Sequence, residues 1–211
     1  IRMSESKAII IERLTGSVNG AGKSDFDLNP SLWLEGQEIK EADLKSAAVL
    51  VPLVERPEGL TVLLTKRTDH LHNHAGQISF PGGRVEPEDE NAIETALRET
   101  HEEIGVGREH IEIIAEIDTY RTGTGYRITP VVGFVSPEYI LQIDEFEVAE
   151  VFEVPLSFLM NPTNHHRRSA VYKGIERHFY VMPYENRDIW GATAGMLVAL
   201  HARIAGPDVA E

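Results

Sequence analysis

Three glutamates, Glu99, Glu102 and Glu103, stand in the run Arg98-Glu99-Thr100-His101-Glu102-Glu103-Ile104-Gly105. On a helix turning about 100° per residue, all three fall within an arc of roughly 100°. Such like charges cost an isolated helix about 0.2–0.5 kcal/mol per pair, and a divalent cation turns that repulsion into attraction. Carboxylate oxygens are hard donors that suit Mg²⁺ or Mn²⁺. Taken alone, three glutamates more often describe a solvated acidic face. Their surroundings favour chemistry. Gly82 and Gly83 lie upstream, where a backbone without Cβ atoms approaches a helix closely and offers a carbonyl as a further oxygen donor. Arg98, beside Glu99 and four positions before Glu102, is spaced to orient either carboxylate, or to form an ordinary surface ion pair.

These side chains need a helix to carry them and strands to bring the glycines alongside. The helix is predicted over Asn91 to Ile104: Asn91 is a fitting N-cap, Glu94 follows three residues on, and Gly105 stands just past the end. Ile93, Leu97, Thr100 and Ile104 gather on the side away from the acidic arc. Ala47 to Val54 and Leu60 to Lys66 predict a hairpin around the spacer Glu55-Arg56-Pro57-Glu58-Gly59. Further strands are expected at Ile78 to Phe80, Ile111 to Tyr120, Arg127 to Val135, Glu150 to Val154, Ala170 to Tyr172 and His178 to Val181. Helices are expected at Ser4 to Leu14, Glu38 to Ser46, Pro155 to Met160 and Ile189 to Ile204, with a loop from Gly16 to Pro30. Mixed strands with a few helices read as an α/β or α+β sandwich, with no repeat and no linker long enough to divide two domains.

Composition narrows the function classes. The chain has 211 residues, 42% of them hydrophobic, enough for one substantial core. Its net charge of −14 disfavours nonspecific binding to nucleic acid or an anionic membrane. The absence of cysteine removes disulfides, thiolate metal sites and cysteine nucleophiles, and fits a reducing compartment with the cytoplasm as the default. No apolar run approaches the roughly 20 residues that cross a bilayer, and no secretion signal is evident. Ile1 and Arg2 stand ahead of Met3 and take no part in the reading.

Gly83, Arg98-Glu99 and Glu102-Glu103-Ile104-Gly105-Val106 together resemble the Nudix box. The interval from Gly83 to Arg98 is one residue longer than usual, Thr100 stands where an aliphatic residue is common, and Glu90, with Asp89 beside it, is the counterpart of the upstream glutamate. Leu63-Leu64-Thr65-Lys66-Arg67-Thr68, His72, Gly76 and Phe80-Pro81-Gly82-Gly83 resemble the coenzyme A pyrophosphatase branch of that superfamily, whose members tend to share the longer interval. Departures fall at Thr68, where a smaller residue is usual, and at His72, where an arginine is usual. Thr129 to Phe134, Glu147 to Phe152, Pro155-Leu156 and Ile189 to Ala194 are similar to later stretches of the branch, so the likeness covers about residues 47 to 204.

The resemblance implies an α/β Nudix fold, an α/β/α sandwich with a mixed sheet; the domain is expected over residues 31–211, after the helix and loop read over residues 1–30. It implies Glu99, Glu102 and Glu103 as ligands of Mg²⁺ or Mn²⁺, with the Gly82 carbonyl as a further donor and Glu99 as an alternative general base. Family members also use a glutamate outside the box as base or ligand. Glu147 is the candidate here, in the acidic segment from Asp144, with Glu145 and Glu150 as rivals. Anion contacts are expected from Arg67, Arg84, Arg121 and Arg127, with His72 and His74 as weaker partners. Phe80 and Trp190 are placed either against an adenine or in the core. His165-His166-Arg167-Arg168 is either a 3′-phosphate contact or a loop tip.

The implied reaction is hydrolysis of the diphosphate of coenzyme A or an acyl-CoA, giving 4′-phosphopantetheine or its acyl form and adenosine 3′,5′-bisphosphate. The rival readings are a Nudix enzyme for ADP-ribose, NADH or a dinucleoside polyphosphate, and a Nudix-fold ligand-binding protein without turnover. The expected partner is a small molecule, with no nucleic acid or membrane and the oligomeric state left open.

Overall fold

The structure, a computed structural model, describes residues 7–16, 23–30, 40–70, 76–172 and 174–206. Along the chain come α1 (Lys7–Thr15), β1 (Lys23–Ser24), β2 (Lys45–Arg56), β3 (Gly59–Arg67), β4 (Ile78–Ser79), β5 (Gly82–Arg84) and α2 (Ala92–Ile104). Then follow β6 (Ile111–Glu116), β7 (Tyr120–Arg121), β8 (Tyr126–Val135), β9 (Val148–Pro155), α3 (Leu156–Leu159), β10 (His166–Tyr172), β11 (Ile175–Tyr184), β12 (Arg187–Trp190) and α4 (Ala192–Ala205).

β2 organises the sheet. It is buried without a break from Ala47 to Val54, as a strand covered on both faces must be. It pairs in parallel with β8 along its length, from Lys45 opposite Tyr126 to Val54 opposite Val135. On its other edge its C-terminal half pairs antiparallel with β3, and its N-terminal half with β5, where Ala48 faces Gly83 and Val49 faces Gly82. β3 turns away from β2 to pair with β4 and β9, opening a gap that β5 fills. The main sheet is therefore mixed, and β10, β11 and β12 form a second antiparallel sheet.

Strand alternation sorts the core into two layers. Val49, Val51 and Leu53 of β2, with Val62 and Leu64 of β3, join Ile10 and Leu14 of α1 and Met196, Leu197, Leu200 and Ile204 of α4. Ala48 and Leu50 point the other way, toward Ala96 of α2, and Val54 and Leu63 pack with Ile104 and Val106. The result is the expected α/β class, a mixed sheet with helices on both faces.

Several expectations need correction. In place of a helix from Glu38 to Ser46 there is one 3₁₀ turn, Glu41–Asp43, and the strand already begins at Lys45; residues 31–39 lie outside the described ones. The helix expected from Ile189 starts at Ala192, because Arg187–Trp190 pairs with β11 and Gly191 breaks the strand with a φ of 66°. The strand expected over Ile111 to Tyr120 stops at Glu116 and resumes as β7. The expected loop Gly16 to Pro30 contains β1 and a 3₁₀ turn, Asp25–Leu28.

Candidate active site

α2 carries the acidic residues, and both of its ends are fixed by local chemistry. The Asn91 side chain accepts a hydrogen bond from the Glu94 amide at 3.0 Å. Gly105 adopts the left-handed conformation at φ 75°, and its amide donates to the His101 carbonyl. Thr100 is buried in the apolar stripe, where its hydroxyl donates to the Ala96 carbonyl at 2.6 Å, so a polar residue serves in an aliphatic position.

The three glutamates differ in environment. Glu103 is buried, and its carboxylate accepts from the Gly82 amide at 3.2 Å. Burial pushes its pKa up to about 8; the Gly82 amide and the Arg67 guanidinium oppose that rise, while Glu99 and Glu147 add like charge. Glu99 is part-buried, and burial raises its carboxyl above the ordinary range against the opposing pull of Arg98. Glu102 is exposed and accepts from Arg98 at 3.0 Å. Gly83 lies hard against Glu99: a Cβ there would stand 2.3 Å from Glu99 Oε1. A Cβ on Gly82 would stand 2.4 Å from the Ala48 carbonyl oxygen. Gly82 is thus required by its close approach to backbone, whereas a Cβ at Gly83 would displace the Glu99 carboxylate.

Arg98 ties the loop to the helix. Its Nε and Nη2 donate to the two carboxylate oxygens of part-buried Asp89, each at 3.0 Å, Nη2 also reaches the Arg84 carbonyl, and Nη1 bridges Glu99 and Glu102. Asp89 further accepts from the Glu86 amide and the Thr95 hydroxyl, and its pairing with Arg98 holds its carboxyl well below the usual range. The upstream position expected at Glu90 is therefore occupied structurally by Asp89, while Glu90 is exposed.

Arg67, at the end of β3, stands between Glu103 and Glu147, with Nη1 at 3.6 Å from the first and Nη2 at 3.8 Å from the second. Of the rivals to Glu147, Glu150 is paired with Arg187 and Glu145 is exposed. Arg84 donates to the Tyr126 hydroxyl at 3.1 and 2.6 Å. Arg127 reaches Ser46 Oγ at 3.4 Å and faces Arg121 across the β7–β8 pair. Register brings Arg84, Arg121 and Arg127 to one end of the sheet, beside Gly83. His72 and His74 lie outside the described residues.

Phe80 is not brought to a surface: its ring is buried in the main core, where it cannot stack on a substrate. Trp190 is exposed on β12 against Phe179. His165 contacts the Leu159 carbonyl and the His201 ring, Arg167 the Tyr180 hydroxyl and Arg168 the Asp188 carboxylate, all on the second sheet or next to it.

Among the described residues, no three acidic or histidine side chains already converge as an ion cage. Arg98 and the Gly82 amide hold the carboxylates in their present directions. The donor set nevertheless fits a hard divalent cation: oxygen donors alone, one carboxylate buried at the cost of a raised pKa, and a glycine backbone drawn close to another.

A mixed sheet thus delivers a Gly-Gly strand to a capped acidic helix and assembles oxygen donors in one place. The sequence model described as NUDIX domain matches residues 44–173, and the chain belongs to the Nudix hydrolase family. Over 197 residues it is 38% identical to a Yersinia pestis (strain Pestoides F) protein named "Uncharacterized Nudix hydrolase NudL", covering 92% of this chain and 98% of that one. A Yersinia pseudotuberculosis (serotype O:1b, strain IP 31758) protein of the same name matches at the same 38% identity. Solved structures are more distant. A Caenorhabditis elegans Ap4A hydrolase binary complex has 21% identity and a TM-score of 0.46, over 53% of this chain and 80% of that one. An Enterococcus faecalis MutT/nudix family protein has 21% identity and a TM-score of 0.44, over 82% and 66%. Nudix hydrolases act on small nucleoside diphosphate derivatives and generally use divalent metal ions. Among the described residues, no helix is long and apolar enough to cross a membrane.

Proposed function

We propose that this Nudix hydrolase cleaves the diphosphate linkage of coenzyme A or an acyl-CoA, yielding 4′-phosphopantetheine or its acyl form and adenosine 3′,5′-bisphosphate. The observation that carries the reading is Arg67. It belongs to the Leu63–Thr68 segment whose resemblance is to the coenzyme A pyrophosphatase branch, and its guanidinium lies between Glu103 and Glu147. A branch-specific segment thereby contributes to the same constellation as the general Nudix carboxylates.

Glu99, Glu102 and Glu103, with the Gly82 carbonyl, are the residues that would hold Mg²⁺ or Mn²⁺. A divalent cation there supplies positive charge against the diphosphate and toward the attacking water. Arg98 keeps the helix carboxylates aimed, and Asp89 holds Arg98. Arg67 is released from its two carboxylates to meet a phosphate oxygen, and Arg84, Arg121 and Arg127 offer further anion contacts. Glu99 or Glu147 accepts the water proton. Water oxygen bonds to one phosphorus, the bridging P–O bond breaks, and the bridging oxygen leaves on the other phosphate.

Mass spectrometry of products formed from coenzyme A in ¹⁸O-labelled water tests this. The expected result is one labelled phosphomonoester and one unlabelled one, dependent on Mg²⁺ or Mn²⁺. Turnover of ADP-ribose, NADH or a dinucleoside polyphosphate with none of coenzyme A would reject the assignment, and ligand binding with no product at all would leave a binding protein.

A further inference from the structure

Between β8 and β9 the chain runs from Ser136 to Glu147 outside any regular element. Its backbone is nevertheless tied down at both ends. Arg56 reaches the Pro137 carbonyl at 3.3 Å and the Tyr139 hydroxyl at 3.4 Å, and that hydroxyl donates to Glu153 at 2.8 Å. Further on, the Gln142 amide donates to the Ile104 carbonyl at 2.9 Å and the Asp144 amide to the Glu103 carbonyl at 3.0 Å. The Thr68 hydroxyl donates to the Phe146 carbonyl at 2.8 Å. The loop therefore closes the C-terminal end of the helix that carries the site, and leads directly into Glu147.

Its side chains contradict its position on the surface. Ile140 is 76% exposed and Phe146 66%, and Leu141 and Ile143 are exposed as well. Single exposed apolar residues are ordinary, but four within seven positions on a pinned backbone form a patch of the kind that marks a binding surface. The patch is also one-sided in charge: residues 138–147 include Glu138, Asp144, Glu145 and Glu147, with no lysine or arginine.

Charge selects the occupant. The substrate of the proposed reaction has a nucleoside flank carrying an extra phosphate and a second flank that is an uncharged amide arm ending in a thiol or thioester. Of the four, only Glu147 meets a cation, Arg67 at 3.8 Å, at the catalytic end of the loop; Glu138, Asp144 and Glu145 leave the rest of it negative and repel the phosphorylated flank. They do not oppose the neutral arm, and an alkyl chain continuing beyond it meets the apolar side chains.

We infer that the loop over residues 138–147 is a platform for the acyl chain of the substrate, with Ile140 and Phe146 as specificity-determining residues that favour acyl thioesters over free coenzyme A. This rests on the coenzyme A reading. Neither residue belongs to the proposed catalytic set, and both are exposed, so serine replacements should fold; thermal melts of each variant check this.

The experiment is steady-state kinetics with coenzyme A, acetyl-CoA, octanoyl-CoA and lauroyl-CoA, below their micellar concentrations, for the parent, Ile140→Ser, Phe146→Ser and the double variant. The parent is expected to show kcat/KM at least about tenfold higher for lauroyl-CoA than for coenzyme A, carried by KM, with the double variant bringing the two within about twofold and leaving the coenzyme A values unchanged. A parent indifferent to chain length, or a double variant that keeps the preference, overturns the inference while the coenzyme A reading stands. A parent that cleaves none of the four overturns both. Sedimentation across a concentration series adds one outcome: a parent dimer dissolved by the double variant would assign the patch to a second copy and reject the acyl platform.

Discussion

Glu103 differs from its neighbours because it is a carboxylate buried against Gly82 and Arg67 rather than one displayed to water. Its folded pKa, about 8, lies above the ordinary value of 4.5. Folding of the metal-free protein therefore favours the protonated acid. The associated stability is fully present below about pH 4.5 and is lost as pH rises through about 8. Thermal melts in chelator are expected to show the parent falling relative to Glu103→Gln over that window, with Mn²⁺ restoring the parent; parallel curves would remove the burial argument. The same variant should lower kcat at least about 100-fold with its fold intact, as measured by turnover and circular dichroism. All three glutamates were legible in the sequence as one acidic arc. Which of them is buried was not, because that depends on β3 and β5 closing over the helix, a contact between residues far apart in sequence. Asp89 was hidden for the same reason: the sequence pointed to Glu90, and only the folded loop shows which acid reaches Arg98.

At the scale of elements, the site depends on β5 lying against α2 with Gly83 between. Gly83→Ala places a Cβ within 2.3 Å of Glu99 Oε1, and the flexible end of the glutamate can move away. The expected outcome is a kcat/KM at least about tenfold lower with little change in Tm, since misaimed catalytic groups cost rate more than stability. A Tm drop that accounts for the lost activity would count against it. Arg98→Ala should lower both stability and rate: Asp89 loses its cation, at a cost of about 1–3 kcal/mol in denaturant unfolding, and kcat falls because Glu99 and Glu102 lose the guanidinium that aims them. α2 was legible to within a residue at both ends, because Asn91 and Gly105 are local signals. β5 and β12 were not. Two glycines have little strand propensity, and Ile189-Trp190 continues the apolar pattern of α4, so pairing with β2 and β11 decides what local preference does not.

For the whole molecule, the sheet separates a catalytic layer under α2 from a supporting layer under α1 and α4. Leu14→Ala in α1 should cost about 2–5 kcal/mol of stability in urea titration while leaving kcat per folded molecule unchanged, since its cavity opens in the layer away from the carboxylates. The fold class was legible because a fully apolar β2 demands cover on both faces, whereas which helices supply each side was not. The proposed role of the α2 carboxylates is to hold a cation against a diphosphate. Titration of Mn²⁺ into the parent and Glu103→Gln, followed by the electron paramagnetic resonance of free Mn²⁺, tests that most directly: the parent should bind at least about tenfold more tightly than the variant. Equal affinity in the two proteins, both folded, would contradict it.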